Sequence, residues 1–189
     1  MRPPENEIPA AVPLNTVLAR TRDVALALLD VQVYSTGLSL TLALRARTPP
    51  PGTERGLGEI LFGPERRRAP LLLGLEFADG RRVTSAGPGF PPPEAEDGVV
   101  FHPGSGSGGE LAADQSWWLS PLPPPGPLRV VVRCDALGIA ETSTVVDGGA
   151  LAAAAGGVVE LWPWEPAPEP APPEERRPDV PGDSWFART

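Results

Sequence analysis

A chain of 189 residues with 27 prolines, 21 glycines and 41% hydrophobic residues has room for one domain with an ordinary core, Pro/Gly-rich connectors and an unstructured segment. Its net charge of −8 disfavours long-range attraction to nucleic acid or anionic lipid, so neither nucleic acid nor membrane is an expected partner. All basic residues are arginine, which excludes chemistry that needs a lysine amine, and the lone Cys134 excludes an internal disulfide.

The opening residues, Met1 to Glu7, are polar and lack the apolar stretch of a secretory leader, so a cytoplasmic, reduced setting is expected. Residues 1–11 read as a flexible arm and 12–162 as the folded domain. The stretch 15–29 has two readings: Asn15 can cap a helix reaching Leu29, or the stretch can form strands. Strands are preferred, because Val31, Val33, Leu38, Leu40, Leu42 and Leu44 alternate with Gln32, Ser39, Thr41, Ala43 and Arg45 around the turn Ser35-Thr36-Gly37. Residues 48–70 read as a long loop. Leu71 to Phe77 and Arg81 to Ser85 read as a hairpin whose Ala78-Asp79-Gly80 link predicts a tight turn with positive φ at both central residues.

Residues 86–110 are mostly Gly, Pro, Ser and acid and read as a mobile loop, with Val99 to Phe101 as a brief strand inside it. Leu111 to Leu119, Leu128 to Cys134, Ile139 to Val146 and Val158 to Trp162 complete the set. Ala150 to Ala155 is a short helix or irregular turn. Seven to nine short strands with Gly/Pro turns predict an all-β fold, an antiparallel β-sandwich. From Pro163 onward, Pro, Ala and Glu dominate and cannot bury enough apolar surface to offset chain entropy. Residues 163–189 are therefore expected to be a disordered, acidic, polyproline-like tail.

Few residues carry recognisable chemistry. The run Gly104 to Gly109 formally contains a dinucleotide fingerprint but lacks the strand before and helix after it, so it reads as a flexible loop. His102 is the only histidine and has no nucleophile motif beside it. Glu94, Glu96 and Asp97 lack the spacing of a calcium loop, and one His with one Cys cannot supply a structural zinc set. No cofactor and no metal is expected. Cys134 shares the alternating face of Val130 and Val132 and reads as a buried structural thiol. Trp117 and Trp118 are neighbours, so in a strand one enters the core and the other faces outward as a stacking platform or lies beneath a loop. Trp162 and Trp164 pose the same alternative. Arg66, Arg67 and Arg68, with Arg81 and Arg82, can hold an acidic group, the chain's own tail included. Trp185 and Phe186, two large aromatics after an acidic linker, either fold back on their own domain or dock into a partner groove.

The segment Val24 to Arg45, with its aromatic Tyr34, glycine turn and alternating return strand, resembles the paired strands of bacterial immunoglobulin-like sandwiches. The hairpin Leu75-Glu76-Phe77-Ala78-Asp79-Gly80-Arg81-Arg82 fits the same pattern. The all-arginine, Ala/Pro-rich composition is similar to that of uncharacterised immunoglobulin-like proteins of high-GC actinobacteria. This resemblance spans residues 12–162 and implies a fold, with no activity and no site residues. The cysteine pair and central tryptophan of antibody-type domains are absent as a set.

Three functions compete. The first is a non-enzymatic protein-interaction or scaffold domain with an aromatic-ended tail. The second is a ligand module, for instance for carbohydrate, using Trp117 or Trp118 with loop 86–110. The third is a carboxylate-dependent hydrolase using Asp114, Asp135 or Glu141. The first is preferred.

Overall fold

The computed structural model describes residues 2–63, 71–86 and 98–165. Three strands open the chain: β1 (Glu7–Ile8), β2 (Ala10–Arg20) and β3 (Val24–Tyr34). β4 (Gly37–Ala46) follows, then a helix, α1 (Leu57–Phe62). β5 (Leu72–Glu76), β6 (Arg82–Thr84), β7 (Val100–Gly108) and β8 (Ala112–Ser120) come next. The described chain ends with β9 (Pro127–Cys134), β10 (Ile139–Asp147), α2 (Gly148–Ala154) and β11 (Val159–Glu160).

The strands form a five-stranded sheet in the order β2-β3-β4-β8-β7, a four-stranded sheet in the order β10-β9-β5-β6, and a ribbon of β1 with β11. Every pairing is antiparallel. The chain lays down β2 to β4 in one sheet, β5 and β6 in the other, returns for β7 and β8, and finishes with β9 and β10. Alternation explains the core. Leu26, Leu28, Leu40 and Leu44 from the larger sheet share one apolar cluster with Leu73, Leu75, Val130 and Val132 from the smaller. Each fully buried Leu or Val contributes about 1.5–3 kcal/mol relative to exposure.

The ambiguous stretch 15–29 is strand throughout its paired residues. Asn15 does not cap a helix. It takes φ 46° where the register of β2 against β3 slips between Pro13 and Thr16, a left-handed bulge that Asn tolerates. β2 is an edge strand, which is why Pro13 is compatible with it.

Four further expectations change. The 1–11 arm already contains β1 and the start of β2. The 48–70 loop contains α1, with Leu57, Ile60 and Leu61 buried. The glycine run 104–109 lies mostly within β7, paired with β8, and is no open loop. In the β5–β6 turn only Gly80 has positive φ, at 85°. Its N–H donates to the Phe77 carbonyl (2.9 Å) and the Phe77 N–H to the Arg81 carbonyl (2.9 Å), so the turn spans one residue more than a two-residue hairpin link. Among the described residues no helix is long and apolar enough to cross a membrane.

Candidate functional site

Several residues singled out from the sequence, Arg66, Arg67, Arg68, Trp185 and Phe186, lie outside the described residues, as do Glu94, Glu96 and Asp97. The others are placed. Trp117 points into the core and stacks on Phe101, centroids 5.0 Å apart. Trp118 points to the opposite face, as alternation requires, yet it is only 2% exposed against 3% for Trp117. Tyr34 meets it edge-on at 5.6 Å, and the Gly37 backbone closes over its six-membered ring. Neither indole is a stacking platform; Trp118 takes the covered alternative, beneath Tyr34 and Gly37 and not beneath a long loop. Both indole N–H groups lack an acceptor among the described residues.

Asp114 stands in the other sheet from Asp135 and Glu141, which both act on Arg133 across the β9–β10 hairpin. Asp114 stands on β8 and receives two bonds from Arg45 (2.8 and 3.3 Å). Asp135 follows β9 and receives two from Arg133 (2.9 and 3.1 Å), which hold its carboxyl below the usual carboxylate range. Glu141 lies on β10 and lines a groove of about 690 Å³ that also includes Glu76, itself bonded to Arg82 at 3.3 Å. Arg81 is held locally too, 2.8 Å from Asp79 and over the Phe77 ring at 5.5 Å. Cys134 is fully buried, and burial pushes its thiol above the usual range. Among the described residues no group of His, Cys, Asp and Glu is arranged to hold a metal ion.

Two surface features stand out. The first is the β1–β11 ribbon. Ile8 faces Val159 across it, and both are 52% exposed. Leu161, Trp162 and Trp164 continue the apolar run at 46%, 59% and 69% exposure. The run is pinned: the Leu161 N–H donates to the Asn6 carbonyl (2.8 Å) and the Asn6 side-chain amide to the Trp162 carbonyl (2.9 Å). Asn6 itself is buried. Exposed Glu5, Glu160 and Glu165 flank the run in sequence. Trp162 and Trp164 thus resolve towards the exposed alternative. The sequence signal was the pair of tryptophans just past the last strand; the role of Asn6 had none.

The second feature is a groove of about 840 Å³ on the outer face of the five-stranded sheet, lined by side chains of β3, β4, β7 and β8 together with Arg2 and Pro3. Comparison with known proteins supplies no relative: no family model, no curated protein and no solved structure matches the chain.

Proposed function

We propose that this chain is a non-enzymatic protein-interaction domain of immunoglobulin-like sandwich type that docks a partner on its aromatic ribbon. The strand order supports the fold. With β3 and β4 as the first two strands, the larger sheet runs first, second, fifth, fourth in β3-β4-β8-β7. The smaller runs seventh, sixth, third and then an added strand in β10-β9-β5-β6, which is the immunoglobulin arrangement, with β2 added at one edge.

The observation that carries the docking reading is the pinned exposure of Trp162. A contiguous run of large apolar side chains in water is unfavourable unless something covers it. Tryptophan is the residue type most enriched at the energetic centre of protein interfaces. The flanking glutamates define the partner: an apolar pocket with a basic rim. Trp185 and Phe186 belong to the same reading as a second contact, reached through the Pro-rich segment.

Affinity capture with the full chain as bait tests it, comparing wild type with the double variant Trp162→Ala/Trp164→Ala. Removing two interface tryptophans is expected to weaken the captured partner at least about 30-fold, corresponding to ~2 kcal/mol. The far-ultraviolet circular dichroism should stay unchanged. Equal capture by both proteins, or no specific protein retained by either, overturns the reading.

A further inference from the structure

The outer face of the five-stranded sheet is unusual for a surface that meets only water. The register Gln32↔Ser39, Ser39↔Trp118 and Trp118↔His102 sets those four residues in one row across four strands. Beside it, Thr41 pairs with Ser116, whose hydroxyl donates to the Ser105 carbonyl (2.9 Å). Hydroxyls and amides dominate where charged side chains ordinarily stand. Of the charges that do line the face, Asp114 is matched by Arg45, and Arg2 belongs to the N-terminal segment. Arg2 and Pro3 add a wall, so the face is a groove and not a flat sheet. Its volume of about 840 Å³ falls in the range of small-molecule sites.

We infer that this groove binds a neutral, hydroxyl-rich small molecule of the sugar class. Ser, Thr and Gln side chains both donate and accept, which matches ligand hydroxyls that do the same. Of the two arginines at the groove, Arg45 is paired with Asp114, and Arg2 has no carboxylate partner among the described residues. An apolar ligand strips water from Ser39 and Thr41 and returns no hydrogen bond, at about 1–3 kcal/mol for each group left unpaired. Tyr34 borders the groove, and burial, and to a lesser degree the Glu7 carboxylate, pushes the ionisation of its phenol up. Trp118 lines the groove from below; its indole N–H is buried and has no acceptor among the described residues. The tryptophan is therefore part of the groove's base.

Titration calorimetry of the full chain tests the inference with maltotriose, cellotriose and chitotriose as neutral probes and inorganic phosphate as the anionic one. At least one trisaccharide is expected to bind with a dissociation constant below about 1 mM. Its amide shift changes should fall at Ser39, Thr41, Ser105 and Ser116. The double variant Ser39→Ala/Ser116→Ala should weaken that binding about 10-fold or more while circular dichroism shows the fold retained. No binding by any trisaccharide, shifts confined to other faces, affinity unaltered in the variant, or phosphate as the preferred ligand would each overturn it.

Discussion

Gly37 opens β4 directly over Trp118. A Cβ there would overlap the Leu119 carbonyl oxygen and lie 2.7 Å from Cζ2 and 2.9 Å from Cη2 of Trp118. The carbonyl belongs to a paired strand and the indole is wedged under Tyr34, so neither neighbour can yield cheaply. Gly37→Ala is expected to destabilise the fold by roughly 2–3 kcal/mol, as overpacking does, and to lower the melting temperature by about 5–10 °C. Gly156 is the matched control, with open space around its Cβ direction and no positive φ. Gly156→Ala should be neutral or slightly stabilising, since it narrows only the unfolded ensemble. Urea melts of the two variants give the contrast, and equal midpoints would remove the packing argument. The same residue explains which of its two alternatives Trp118 takes. Alternation in the sequence gives the direction in which Trp118 points. Its depth depends on Gly37 and Tyr34, which meet it only once β3, β4 and β8 are in register.

The two helices show why one element was legible and the other was not. α2 announces itself by an alanine run behind Asp147, whose carboxylate accepts from the N–H groups of Gly149 (2.9 Å) and Ala150 (3.1 Å). Asp147→Ala leaves those two donors to water and should cost about 1 kcal/mol, read as a lower urea midpoint with an unchanged slope. α1 has no side-chain cap. Its first N–H groups are satisfied from elsewhere: Leu57 donates to the Glu110 carbonyl (3.1 Å) and Gly58 to that of Gly109 (2.9 Å). A six-residue helix held by tertiary partners leaves no local signature. The glycine run of β7 is the other half of that contact. A Cβ at Gly108 would lie 2.6 Å from the Gly58 Cα, and one at Gly106 2.6 Å from the Phe62 ring. These residues are glycine because α1 lies against them, so a run that reads locally as a loop is a strand.

At the scale of the whole molecule, periodicity foretold an antiparallel, strand-rich chain, because each hairpin writes its own pattern. The pairings that join hairpins, β4 with β8 and β5 with β9, link residues far apart in sequence and were invisible to it. Each of those pairings completes one sheet, the two sheets share one core, and Cys134 reports on whether that core opens as a unit. Its side chain is fully buried on the inner face of β9, and burial pushes the thiol up, so the native state presents no reactive thiolate. Because the native thiol keeps its proton longer than the unfolded one, this group adds stability below the unfolded value of about 8.5 and loses it as pH rises past that value. At pH 7 that loss is absent and labelling by an aromatic disulfide reagent depends on opening alone. If the sheets open together, the logarithm of the labelling rate should rise with urea along the full equilibrium slope, about 1–3 kcal/mol per molar. A much shallower slope would mean that β9 and β10 detach on their own. The shared cluster of Leu28, Leu40, Leu73 and Val132 makes that separation costly, since it would expose the inner faces of both sheets at once.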